Sequence, residues 1–257
     1  MGKENLSQSF MVTIACRNQV FKNITAIIFD KDGTLENSQE FLRQLGLKRS
    51  RLVDAQVPGI GEPLLMAFGI NGNHLDPTGL MAVGSRRENE IATAAYIAET
   101  GRGWLESRKI AQNVFTEADE MLRQSAPSPL FVGCLEVLQT LSQAGLKLGI
   151  LSAAPTSAVE AFVQEYQLGA YLQLQQGVDD GPSKPDPRLF LDACAALQVS
   201  PGTTLMVGDS LGDMEMAKQA GAGGCIGICW NSRAPGTLPG ADVLITQLDE
   251  IQIQDEP

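Results

Sequence analysis

AIIFDKDGTLENS, residues 26–38, opens with four apolar residues and then sets two acids, Asp30 and Asp32, on either side of a lysine. A short apolar run that breaks at a glycine, here Gly33, reads as a buried strand opening into a loop. Carboxylates placed that close repel one another unless a cation or a reaction makes use of them. In extended chain the spacing i to i+2 points both side chains the same way. The stretch therefore reads as a core strand that carries acid to its own tip.

Beyond it the rhythm changes. From about Glu40 to Gln124, FLRQLGLKRSRLVDA, EPLLMAFG, ENEIATAAYIAETG and WLESRKIAQNVFTEADEMLRQ space their apolar residues three or four apart, which predicts helices. SAPSP, residues 125–129, breaks that block. Apolar strands then alternate with helices. The helix CLEVLQTLSQAG is followed by strand LKLGIL, helix TSAVEAFVQEYQL, strand YLQLQ, helix PRLFLDACAALQ, strand TLMVG, helix DMEMAKQAG and strands CIGIC and DVLIT. Such alternation means βαβ units, a mainly parallel sheet with helices on both faces, and a Rossmann-like α/β core. ITAIIF, residues 24–29, is the first core strand, and VTIAC and QVF around Arg17-Asn18 predict a hairpin ahead of it. The expected organisation is a core in two parts, residues 1–37 and 127–257, with a helical cap over residues 38–126 inserted between them.

In sheets of this kind the site lies beyond the C-terminal ends of the strands. The first strand ends in Asp30-Lys31-Asp32-Gly33-Thr34, KLGIL ends in Ser152, and TLMVG ends in Asp209 with Asp213 four residues on. Pro182, Pro185 and Pro187 stiffen a loop that carries Lys184. Carboxylates, one hydroxyl and one ammonium form the inventory of a hard-cation site that handles an oxyanion.

DKDGT, the strand-terminal Ser152, Lys184 ahead of Pro185, and GDSLGD resemble the four motifs of the haloacid dehalogenase (HAD) superfamily, in that family's order. The resemblance covers residues 24–38 and 130–250. It is strongest to the phosphoglycolate-phosphatase-like branch, whose helical cap is inserted directly after the first motif. It implies a Mg²⁺-dependent phosphatase acting on a small phosphorylated metabolite. Asp30 would be the nucleophile that becomes an aspartyl phosphate, and Asp32 the general acid and base. Gly33 would let the backbone turn tightly beside the phosphate, while Ser152 and Lys184 would hold phosphoryl oxygens. Mg²⁺ would sit on Asp30, Asp209 and the backbone carbonyl of Asp32. Asp213 would hold a metal-bound water or orient Lys184, or else only cap the helix that follows it.

Asp32 narrows the chemistry. Relatives that break carbon–halogen or carbon–phosphorus bonds lack the second aspartate, and the P-type ion pumps carry threonine there. Hydrolysis is favoured over return of the phosphoryl group, as in sugar phosphomutases, and over a non-catalytic regulatory role. Relatives of this branch usually carry an aliphatic residue where Lys31 stands and an acid where Asn37 stands, and Lys31 is expected to point to solvent. Within the cap, Arg86 and Arg87 flank a predicted helix start, and one of them is a candidate clasp for a substrate carboxylate. His74, the only histidine, is expected in an exposed loop. Asp186 is expected to cap a helix that has Pro187 in its first turn.

Composition agrees with an enzyme of this kind. The 257 residues are 44% apolar and 19% charged, with a net charge of −11, which disfavours nucleic acid and anionic membrane surfaces as partners. No apolar stretch reaches the roughly 20 residues that span a bilayer. The five cysteines include no CxxC pair and read as small buried hydrophobes, with the cytoplasm as the expected compartment. Met11, ahead of VTIAC, is as good a candidate start as Met1, and residues 1–10 then read as a loose extension.

Overall fold

The computed structural model describes residues 11–123, 125–230 and 237–254. The expectation for residues 1–10 falls outside them. β1 (Val12–Cys16) and β2 (Gln19–Ile24) form the antiparallel hairpin read from the sequence. Past the bend at Thr25 comes β3 (Ala26–Phe29), buried at every position.

Five helices follow: α1 (Gln39–Gln56), α2 (Gly61–Phe68), α3 (Leu80–Val83), α4 (Arg86–Glu99) and α5 (Trp104–Leu122). Their apolar stripes close on a cluster of their own that includes Val53, Leu64, Phe68, Ile97, Val114 and Phe115. Between α2 and α3 lies a small hairpin that helical periodicity gave no reason to expect, β4 (Ile70–Asn71) paired with β5 (His74–Leu75). It sets His74 on a strand, exposed as anticipated. The chain leaves and re-enters the sheet side by side. Asn37 N donates to Pro129 O at 2.9 Å, and Phe131 N donates to Leu35 O at 3.0 Å.

The return is the βα alternation: α6 (Cys134–Gln143), β6 (Lys147–Leu151), α7 (Thr156–Glu165), β7 (Leu174–Gln176), α8 (Pro187–Leu197), β8 (Thr204–Gly208), α9 (Leu211–Gln219), β9 (Gly224–Ile228) and β10 (Val243–Ile245). The final strand, β11 (Ile251–Gln254), pairs with β1. The six-stranded sheet runs in the order β10-β9-β8-β3-β6-β7, and its ladders are parallel.

Strand alternation sorts side chains to the two faces. Ile27, Phe29, Leu148, Ile150, Leu205 and Val207 join a cluster with α6, α7 and the β1–β2–β11 sheet. Ile28, Leu151 and Met206 face α8 and α9 instead. A sheet covered on both faces needs near-continuous apolar strands, which is why AIIF and LMV lack polar alternation. Asp186 caps α8 by accepting from Arg188 N, with Pro187 at the first helical position, as expected.

Candidate active site

Register builds the site. Phe29 stands opposite Ile150 of β6 and Val207 of β8, and Asp30 N donates to Val207 O at 2.8 Å. Three strands therefore end level, and Asp30, Ser152 and Asp209 emerge at one edge. A narrow pocket there is lined by Asp30, Asp32, Ser152, Lys184, Asp209 and Asp213, among others.

Lys184 anchors it. Its Nζ lies 2.5 Å from Asp30 Oδ1 and 2.6 Å from Asp213 Oδ1, with the lysine side chain 6% exposed. Asp213 also accepts from Ser210 N and Oγ through its other oxygen, closing a capping box at the start of α9. Asp213 therefore completes the capping box that Ser210 opens and pairs with Lys184, so it does more than cap the helix.

One carboxylate oxygen from each of Asp30, Asp209 and Asp213 lies within 4.8 Å of the others, and these three make the metal-competent acid group among the described residues. Burial, with Asp213 and Asp32 adding like charge and Lys184 opposing, pushes Asp30 up to about 7. Burial and the charges of Asp30 and Asp213 hold Asp209 well above the usual carboxylate range. A divalent cation removes that repulsion, and an all-oxygen donor set suits Mg²⁺. The residues fit the ion.

Gly33 is constrained by this acid group. Its φ is +79°, and a Cβ there would come within 2.1 Å of Asp209 Oδ2. Glycine is needed for the left-handed turn and for the close approach of Asp209.

The Asp32 carboxylate stands apart from the acid group. Ser152 Oγ donates to its Oδ2 at 3.3 Å, and Lys31 Nζ lies 2.7 Å from its Oδ1. Burial would raise its pKa, but Lys31, with Ser38 and Lys184, outweighs burial and holds it below the usual range.

Lys31 corrects the expectation of a solvent-facing side chain. It is 6% exposed and paired with Asp32 and Glu36. The cause is the turn after it. The N–H groups of Thr34, Leu35 and Glu36 all donate to Lys31 O, which folds Glu36 back over the lysine. Asn37, next in the chain, is exposed. A base followed five residues later by an acid, across a glycine, was the available signal.

The two cap arginines part ways. Arg86 Nε is 3.0 Å from Glu90, and its guanidinium also binds Asp119. Arg86 lines a cavity that continues from the acid pocket. Arg87 is 60% exposed, lies 3.8 Å from Asp180 and is not brought to that cavity. Sequence reasoning passed over two residues that are: Arg49, buried on α1, and Asn89 on α4. Helical spacing puts Arg49 among core positions, where a buried guanidinium is itself a signal.

Four of the five cysteines are buried, Cys229 is partly so, and none is paired. No helix among the described residues is long and apolar enough to cross a membrane.

This is a parallel α/β sheet with an acid group and a buried lysine at its carboxyl edge. The chain belongs to the haloacid dehalogenase-like hydrolases, whose family pattern matches residues 24–221. It is 29% identical to the phosphoglycolate phosphatase of Caulobacter vibrioides over 87% of this chain and 87% of that protein. The N-acetylmuramic acid 6-phosphate phosphatase of Pseudomonas putida is 26% identical, over 77% of this chain and 80% of its own. In fold, the crystal structure of a predicted phosphoglycolate phosphatase from Haemophilus somnus 129pt superposes with a TM-score of 0.63 at 20% identity, covering 88% of this chain and 96% of that one.

Proposed function

We propose that the protein is a phosphatase that hydrolyses a small-molecule phosphomonoester through an aspartyl phosphate on Asp30. The observation that carries this reading is the position of Lys184 Nζ, buried between Asp30 and Asp213 at the edge where Asp209 also arrives. A buried ammonium there neutralises the nucleophile's neighbourhood and offers a donor to an incoming phosphoryl oxygen. Ser152 Oγ supplies a second donor. Asp32 lines both the acid pocket and the adjoining cavity, the position a group must hold to reach the oxygen that leaves. Held ionised by its neighbours, it takes a proton from water in the second half-reaction, and that proton is the one it gives to the leaving oxygen of the next turnover.

Asp30, Asp209 and Asp213 would hold Mg²⁺, with Asp213 acting directly or through water. Bound there, the ion neutralises charge on the transferring group.

Residues 38–126 act as the cap in this reading, and residues 1–37 and 127–257 as the core. The paired crossings at Asn37–Pro129 and Leu35–Phe131 are the hinge on which the cap moves. The unpaired cysteines support a reducing compartment such as the cytoplasm. Phosphoglycolate, named in the Caulobacter relative, is the reference substrate.

The test is release of phosphate from p-nitrophenyl phosphate with and without Mg²⁺. Turnover that needs the metal and disappears in Asp30→Asn is expected. Wild-type-like turnover in Asp30→Asn overturns the reading.

A further inference from the structure

The cavity beside the acid pocket has a volume of about 390 Å³, and Asp32, Ala82 and Ala153 line both spaces. Pockets of roughly 300–1,000 Å³ are those that bury drug-sized ligands. Glycolate has about five non-hydrogen atoms and, at roughly 30 Å³ each, would fill less than half of this cavity. Leu42, Leu45 and Met81 give it apolar walls.

Its charges are uneven. Lys31, Arg49, Arg86 and Arg123 face only Asp32 and Asp119 across the lining. Lys31 is held by Asp32 and Glu36, and Arg86 by Glu90 and Asp119. Arg49 is the least satisfied of the buried cations. Its side chain is 5% exposed, its one acid is Asp119 at 3.1 Å, and Arg86 takes the same carboxylate. Its guanidinium carbon lies 4.0 Å from the Phe115 ring centroid, its Nη2 takes Asp119, its Nη1 reaches only the weak acceptor Met81 Sδ at 3.9 Å, and its Nε is buried without a partner. A buried charge with half a partner is costly to keep. A carboxylate arriving in the cavity would give Arg49 Nη1 the oxygen partner it lacks.

We propose that the leaving alcohol is larger than glycolate and carries a carboxylate received by Arg49, so that the substrate is a phosphorylated acid of sugar size. This inference rests on the phosphatase reading and refines it. The size follows from the volume, the carboxylate from the surplus of cations, and the residue from the unmet hydrogen-bonding capacity of Arg49.

The test measures kcat/KM for four substrates. Two are acids of sugar size, 6-phosphogluconate and N-acetylmuramic acid 6-phosphate; the others are glucose 6-phosphate, of similar size without a carboxylate, and phosphoglycolate. The better of the two acids is expected to come first. In Arg49→Met, that acid is expected to lose roughly ten- to hundredfold more than glucose 6-phosphate loses, chiefly through KM. Arg49→Lys should recover only part, because a point charge does not reproduce a guanidinium. Any other order of preference, or an equal loss on both sugar phosphates, overturns the proposal. Should Arg49→Met fail to fold, Arg49→Lys carries the comparison, and an equal loss on the acid and on glucose 6-phosphate overturns the proposal. Hydrolysis of p-nitrophenyl phosphate separates the two ideas: when it persists, only the substrate inference has failed; when it is absent, the phosphatase reading has failed as well.

Discussion

Gly33 and Asp209 occupy one another's space to the limit: any side chain at residue 33 would bring a Cβ within 2.1 Å of Asp209 Oδ2. The turn after the first strand and the acid at the tip of β8 are therefore a single constraint. The backbone at Gly33 also takes a φ of +79°, so Gly33→Ala meets both strain and a clash. We expect that variant to lose at least about a hundredfold in kcat/KM, since a displacement near one ångström of catalytic groups has that effect. Its Mg²⁺ affinity, measured by calorimetry, should fall in parallel. A Gly33→Ala protein with unchanged metal affinity would separate the turn from the acid group.

Lys184 neutralises carboxylates that otherwise only repel. Lys184→Met leaves Asp30 and Asp213 buried without their shared cation, and breaking a buried pair costs roughly 3–5 kcal/mol. We expect a clear fall in Tm in the presence of EDTA and partial recovery on adding Mg²⁺, which takes over the neutralisation. Thermal melts at several Mg²⁺ concentrations check this. An EDTA melt equal to wild type contradicts it.

The buried pair of Lys31 and Glu36 makes a third prediction. Lys31→Leu strands Glu36, whose side chain is 12% exposed, also removes the cation beside Asp32, and should destabilise the fold by roughly 3–5 kcal/mol. The double change Lys31→Leu/Glu36→Leu should recover the part of that loss that belongs to Glu36, because well-packed apolar replacements of buried pairs are often neutral, while Asp32 still lacks its cation. Urea denaturation of the two variants measures the coupling. Purely additive losses would show that the residues do not act as a pair.

Those residues mark how far the sequence could be read. AIIF, KLGIL and TLMVG are largely apolar without alternation, and each is followed directly by a polar residue, so strands buried on both faces and a site at their tips were legible. Asp30, Ser152 and Asp209 were legible for the same reason, Lys184 through its proline-stiffened loop, and Asp213 through its spacing from Asp209. The fate of Lys31 was not, because it depends on three N–H groups converging on one carbonyl, which no spacing rule encodes. Arg86 and Arg87 are adjacent and chemically equal in sequence; only the rotation of α4 sends one to the cavity and leaves the other at 60% exposure. Arg49 was hidden because helical periodicity marks which face is buried and says nothing of a charge placed on it.

Glu250 gives a pH dependence away from the active site. It pairs with Arg17 and accepts from Thr246 N at 2.7 Å and Gln247 N at 3.1 Å, tying the start of β11 to the β1–β2 turn. Burial opposes its charge, yet Arg17 and these N–H donors outweigh burial and bring its pKa from the usual 4.5 to about 2. The folded value is depressed, so its stabilising contribution is complete above pH 4.5 and is lost as pH falls toward 2. Glu250→Gln should therefore lower Tm at pH 7, and its difference from wild type should shrink below pH 4.5 and close as pH falls through about 2. A constant difference in Tm across that range would assign the effect to packing.

The account stands or falls on Asp30 as the atom that receives phosphorus. Acid quenching during turnover, followed by proteolysis and mass spectrometry, reads this directly. Phosphate on the peptide that contains Asp30, in larger amount in Asp32→Asn than in wild type, is the predicted result. Steady phosphate release with no modified Asp30 peptide in either protein would contradict it.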